Sequence, residues 1–160
     1  MDKKVYIETY GCQMNVNDSE VVLSILKDAG YALTENIEDA SLILANTCSI
    51  RDNAEQRIWG RIDQFKLQKR KRDGVIIGIV GCMAERLKDK LLEAVDLVAG
   101  PDSYRSLPSL LEAVRPDSPQ HNGRFAVCAA GAGYIHCWDT SSSSFLFIRR
   151  VIVCTFSHFC

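Results

Sequence analysis

Apolar positions along the first 115 residues fall into short unbroken runs separated by helical stripes. Val5 to Tyr10 is a β-rich run ending at Gly11, and Ser41 to Ala45 and Val75 to Val80 are almost wholly apolar. Leu97 to Ala99 is a shorter run closed by Gly100-Pro101, and an extended piece lies around Tyr31 to Leu33. Between these runs the period changes to that of an amphipathic helix. Asn17-Asp18-Ser19-Glu20 has the form of a capping box. It predicts a helix with Val21, Val22, Ile25 and Leu26 on its inner face and Gly30 at its end. Asp52-Asn53-Ala54-Glu55 repeats the capping pattern ahead of Ile58, Ile62 and Phe65. Leu87, Leu91, Leu92 and Val95 mark a further helix, and Pro108 followed by Leu110, Leu111 and Val114 another. Strands apolar on both faces, alternating with helices, predict an α/β fold: a parallel sheet flanked by helices on both faces, Rossmann-like or flavodoxin-like in its three layers. Strand order is left open by the pattern.

Composition divides the chain. Residues 121–160 carry only Arg124, Asp139, Arg149 and Arg150 as charges, yet hold four of the seven cysteines and all three histidines. That stretch lacks capping and turn logic, so the reading is a domain over residues 1–117 followed by an irregular tail over 118–160. The abrupt change suggests an out-of-frame or unrelated translation from about residue 121, poorly packed or disordered. A zinc element built from Cys128, His136, Cys137, Cys154, His158 or Cys160 is the rival reading of the tail, against which the irregular spacing counts. A net charge of −1 over 160 residues gives no global attraction to nucleic acid, and no DNA partner is expected. The N-terminus lacks an apolar run of signal-peptide length and no segment has membrane-span length, which predicts a cytoplasmic chain without a membrane partner. Seven cysteines in such a chain point to metal or thiol chemistry rather than disulfides.

The position of the early cysteines carries the chemistry. Cys12, Cys48 and Cys82, 36 and 34 residues apart, each follow a predicted strand. Loops at the carboxyl ends of parallel strands share one edge of the sheet, where ligands bind in open α/β folds. Three soft thiolates there suit an iron–sulfur cluster, and no histidine lies in residues 1–120 to complete a four-ligand zinc site. Helix starts after each cysteine are expected to favour the thiolate. Gly11 and Gly81 directly precede two of the cysteines and would permit close backbone approach. Three buried cysteines without function remain the plain alternative, because cysteine is among the most buried residue types.

The flanking residues narrow the choice. Tyr10-Gly11-Cys12-Gln13-Met14-Asn15, Asn46-Thr47-Cys48-Ser49-Ile50-Arg51 and Gly81-Cys82-Met83-Ala84 resemble, in order and spacing, the three cysteine segments of the methylthiotransferase family. The similarity is to its MiaB-type tRNA branch and covers roughly residues 3–117. The resemblance implies a radical S-adenosylmethionine enzyme of three parts that adds a methylthio group to C2 of isopentenyladenosine next to the anticodon. It makes Cys12, Cys48 and Cys82 the ligands of an auxiliary [4Fe-4S] cluster with one open iron. It further implies S-adenosylmethionine and a second [4Fe-4S] cluster on a C-x₃-C-x₂-C segment, and the tRNA anticodon stem-loop as partner. No C-x₃-C-x₂-C occurs in these 160 residues. The expectation is therefore a truncated enzyme domain, inactive alone. A non-catalytic α/β module carrying a metal, cluster or nucleotide for a partner protein is the alternative, although neither G-x-G-x-x-G nor a P-loop follows any predicted strand.

Two further groups stand out. Asn15, Asn46 and Arg51 lie close enough to the cysteines in sequence to support them from behind. Lys69, Arg70, Lys71 and Arg72 form the basic run. It reads as a solvated helix end first and as a tRNA phosphate contact second. Trp59 and Phe65 read as core before they read as base-stacking platforms.

Overall fold

Each apolar run becomes a strand of one sheet. The computed structural model describes residues 3–48, 54–115, 125–130 and 134–139. The chain runs β1 (Lys4–Tyr10), α1 (Gln13–Asp28), β2 (Ala32–Leu33), β3 (Leu42–Thr47), α2 (Ala54–Lys71), β4 (Ile76–Val80), α3 (Cys82–Arg86), α4 (Lys88–Leu92), β5 (Leu97–Ala99) and α5 (Leu107–Val114). A 3₁₀ helix, Pro101–Ser106, precedes α5. The first five strands are all parallel, in the order β2-β1-β3-β4-β5. This is the flavodoxin-like order.

The strands alternate their side chains between two cores. Ile43, Ala45, Ile77 and Ile79 face α2, α3 and α4, where Ile58, Ile62, Phe65, Met83 and Leu91 close the layer. Leu42, Leu44, Ile76 and Val80 face α1 and α5, against Val22, Leu26, Leu107, Leu110 and Leu111. Ile58, Ile62 and Phe65, predicted to face inward, are fully buried. Each such side chain contributes roughly 1.5–3 kcal/mol through the surface it removes from water. Trp59 is partly buried against the same core. Two neighbouring layers of helix and one of sheet give the predicted three-layer α/β arrangement.

Three differences from the sequence reading have local causes. Helix α1 starts at Gln13, four residues ahead of the capping box expected at Asn17, because Cys12 occupies the N-cap. Asn15 Oδ1 accepts the Cys12 N–H at 3.2 Å, and the Asn15 N–H donates to the Cys12 carbonyl at 3.0 Å. The helix expected around Leu87 to Val95 is the short α4 alone, and a separate turn, α3, precedes it across Leu87. Within the segment expected to be an irregular tail, Phe125–Ala130 and Tyr134–Asp139 are strands, β6 and β7. β6 continues the sheet parallel to β5, and β7 pairs with β6 in the antiparallel sense, so the full seven-stranded sheet is not wholly parallel. An open edge at β5 offers unpaired backbone groups, and β6 satisfies them. Among the described residues no helix is long and apolar enough to cross a membrane.

Candidate functional site

Strand order decides where the cysteines meet. β1, β3 and β4 are consecutive in the sheet. Their carboxyl ends are therefore spaced about 4.8 Å apart, and Cys12, Cys48 and Cys82 sit side by side beyond them. Between β1 and β3 the connections turn to opposite faces: α1 packs in one core and α2 in the other. The crevice at such a reversal is where open α/β sheets bind their ligands, and Cys12 and Cys48 flank it. Cys12 and Cys82 are exposed, Cys48 is buried, and all three are free thiols.

The glycines before the cysteines are sterically required. A Cβ on Gly11 would lie 2.2 Å from Asn15 Oδ1 and 2.9 Å from Cys48 Cβ. A Cβ on Gly81 would lie 2.4 Å from Asn46 Oδ1 and 2.6 Å from the Thr47 carbonyl, and Gly81 adopts φ +100°. Only glycine takes that conformation without strain. The sequence suggests these glycines for approach of the backbone to a cluster; the close approach that the structure shows is to Asn15, Cys48, Asn46 and Thr47.

Those groups form a buried polar network. Asn46 Nδ2 donates to the Asn15 carbonyl at 2.8 Å and to Ser19 Oγ at 2.9 Å, while Asn15 Nδ2 donates to Asn46 Oδ1 at 3.2 Å. Ser19 Oγ also lies 2.7 Å from Thr9 Oγ1 and donates to the Asn15 carbonyl at 2.9 Å. Thus Asn15 and Asn46, singled out by position alone, meet directly behind the cysteine loops. Arg51 lies outside the described residues. Ser19 and Thr9 were missed by the sequence reading, although a signal existed: Asn15 and Ser19, four apart, continue the buried stripe of Val22 and Leu26 toward the sheet edge. Polar residues on a buried helical face require partners, and here they find one another.

The thiols are electrostatically distinct. Backbone N–H groups of Met14 and Asn15 at the start of α1 hold the Cys12 thiol below its ordinary pKa, with a further contribution from Cys48. Cys82 is shifted the opposite way: partial burial pushes it up, and the charges of Asp18, Cys48 and Cys12 add to the rise. The uniform preference for thiolate expected from helix starts therefore holds at Cys12 and reverses at Cys82. The physical reason is burial of the Cys82 thiol first and the negative charge of its neighbour Asp18 second. Among the described residues no group of three or more His, Cys, Asp or Glu side chains is close enough to hold one metal ion. Thiolates on a cluster bind separate irons and need not meet that single-ion spacing.

Beside the edge lies a second cluster that the sequence reading missed. Glu8 in β1 accepts hydrogen bonds from Tyr6 Oη at 2.7 Å, from Tyr10 Oη, and from Arg61 Nε at 2.8 and 3.1 Å. Burial opposes ionisation of Glu8, but the Arg61, Tyr10 and Tyr6 hydrogen bonds prevail and lower its pKa. Burial and the hydrogen bond to Glu8 push Tyr10 up to about 12. The Arg61 guanidinium also lies 5.1 Å from the centre of the Phe65 ring.

The basic run is elsewhere. Helix α2 leaves the cysteine edge and extends 18 residues, about 27 Å, to the opposite edge of the sheet. There Lys69 pairs with Asp96, and Arg72 donates to the carbonyls of Ile37 and Ala40 at 3.0 and 3.2 Å. Arg70 and Lys71 are exposed. The four basic residues do not join the cysteine site.

Comparison with known proteins adds sequence kinship to this geometry. The uncharacterized protein family UPF0004 matches residues 4–100. A tRNA-2-methylthio-N(6)-dimethylallyladenosine synthase of Parabacteroides distasonis is 59% identical over 115 residues, 71% of this chain and 25% of that protein. The synthase of the same description from Chloroherpeton thalassium is 44% identical over 150 residues, 92% of this chain and 33% of that protein, so its alignment runs past residue 117. The mitochondrial tRNA methylthiotransferase CDK5RAP1 of Rattus norvegicus is 56% identical over 119 residues, 70% of this chain and 20% of that protein. The chain spans between a fifth and a third of the length of these curated relatives.

Proposed function

This chain belongs to the UPF0004 family, and on that premise we propose that residues 1–117 are the cluster-binding domain of a tRNA methylthiotransferase. On this reading Cys12, Cys48 and Cys82 hold an auxiliary [4Fe-4S] cluster. The observation that carries it is the placement of three free thiols just past the carboxyl ends of the adjacent strands β1, β3 and β4. The donor set fits the group: soft sulfur ligands, two of them exposed, with backbone N–H groups at Cys12 to offset negative charge. When bound, the cluster supplies an open iron site that carries the sulfur to be methylated and transferred.

The protein's own residues perform the remaining tasks. The start of α1 favours the Cys12 thiolate before any metal arrives, which is the form that ligates. Burial and the neighbouring negative charge raise the Cys82 thiol, so ligation there competes with a proton more than at Cys12. Gly11 and Gly81 let the loops close on the Asn15–Asn46 pair without side-chain bulk. The proposed substrate of the whole enzyme is C2 of isopentenyladenosine beside the anticodon. S-adenosylmethionine and a second [4Fe-4S] cluster belong to that enzyme's C-x₃-C-x₂-C segment, which these 160 residues do not contain.

Anaerobic reconstitution of the chain with ferrous iron and sulfide tests the proposal. About four irons per chain are expected, with the absorption and reduced-state spectrum of a four-iron cluster. Changing Cys12, Cys48 or Cys82 to Ala should each abolish retention of that iron. Iron uptake unaffected by all three changes would place the site elsewhere. The reconstituted chain alone is expected not to methylthiolate tRNA.

A further inference from the structure

We infer that Asn46 is the positioning residue that holds the three cysteine loops at one fixed spacing; its functional meaning rests on the cluster reading above, its geometry does not. Asn46 is fully buried in β3, two residues before Cys48. Both hydrogens of its amide go to α1, one to the Asn15 carbonyl and one to Ser19 Oγ. Its oxygen accepts from Asn15 Nδ2, and Asn15 in turn accepts the Cys12 N–H. On the other side, the space where Gly81 would carry a Cβ ends 2.4 Å away at Asn46 Oδ1, so the residue before Cys82 is seated against the same carboxamide. One side chain thus belongs to the strand of Cys48, grips the helix that Cys12 caps, and abuts the turn into Cys82.

The chemistry at this position is specific to a carboxamide. It offers two donors and an acceptor in one plane and carries no charge beside three thiols. An aspartate of the same shape lacks the donors and would set a carboxylate oxygen against the Asn15 carbonyl. Leucine would leave the Ser19 and Asn15 groups buried without that partner, which is the costly case for a polar network.

The test uses the full chain and its Asn46→Asp and Asn46→Ala variants, with Ser19→Ala as a change that removes the three Ser19 Oγ hydrogen bonds but leaves those between Asn46 and Asn15. Amide hydrogen exchange is followed by mass spectrometry in the peptides containing Cys12, Cys48 and Cys82. We expect exchange to accelerate about tenfold or more in all three peptides together, while α5 and the carboxyl half of α2 keep their rates. Ser19→Ala should give the same pattern at lower amplitude, which keeps the test open if an Asn46 variant does not fold. After reconstitution with ferrous iron and sulfide, retention of iron against a chelator should fall about tenfold in Asn46→Asp, with altered lines in the reduced-state electron paramagnetic resonance spectrum. Loosening confined to the β3 peptide, or spread evenly over the chain, overturns the inference. So does an Asn46→Asp protein with wild-type iron retention and spectrum. If the wild-type chain binds no iron while the three peptides still loosen together, the positioning role stands and the cluster reading fails.

Discussion

The two edges of the sheet are built from the same strands and helices and put polar groups to opposite uses. At the carboxyl edge, Thr9, Asn15, Ser19 and Asn46 are neutral, interlocked, and placed directly behind three thiols. At the amino edge the polar groups are charged and used as fasteners. Asp96 pairs with Lys69 and accepts the Ile77 N–H at 2.9 Å, and Arg72 closes the Ile37 and Ala40 carbonyls in the 3₁₀ turn ahead of β3. The contrast teaches that a basic run is not evidence of a nucleic-acid surface until its partners are known. It also shows that buried neutral polar groups can lock neighbouring loops together at one edge of a sheet.

The sharpest way to break this contrast is Gly81→Ala. A Cβ at φ +100°, within 2.4 Å of Asn46 Oδ1, should cost about 3 kcal/mol in a denaturant titration, combining backbone strain with overpacking. A loss below about 1 kcal/mol would show that the carboxyl edge is loosely built. Asp96→Ala attacks the other edge. It removes the acceptor for a buried strand N–H and the partner of Lys69, and should cost about 1–2 kcal/mol while leaving iron uptake unchanged.

A smaller effect separates the thiols within one edge. Alkylation of the metal-free protein with iodoacetamide, followed over pH by peptide mapping, should show Cys12 reacting from a lower pH than Cys82. The sign follows from the shifts: backbone N–H groups favour the Cys12 thiolate, whereas burial and neighbouring negative charge disfavour that of Cys82. Equal profiles would remove the electrostatic asymmetry. The smallest change is expected from the double substitution Arg70→Ala with Lys71→Ala, which should alter stability by less than about 0.5 kcal/mol. Its iron content should match wild type. A marked loss of tRNA affinity in the same variant would support the phosphate-contact reading of the basic run.

Much of this was legible in the sequence because the signals are local. Ile58, Ile62 and Phe65 announce an inward helical face by spacing alone, and all three are fully buried. The runs from Ser41 and Val75 announce buried strands, and β3 and β4 are buried throughout. The start of α1 was misplaced because a cysteine serves as its N-cap, and cysteine is not among the residues that mark helix starts. The Glu8, Arg61 and Tyr10 cluster was invisible because Arg61 stands 53 residues from Glu8.

By itself, the sequence determined that three cysteines follow three strands of an α/β domain, and which neighbours flank them, because strand and turn signals act over a few residues. Only the tertiary structure decided that those strands are adjacent, that Cys12 and Cys82 are shifted in opposite directions, and that Asn46 touches the supports of all three loops. Apart from the lowering at Cys12, which its own helix start supplies, these depend on packing and electrostatics between residues about thirty or more positions apart, set by the order in which the strands take their places in the sheet.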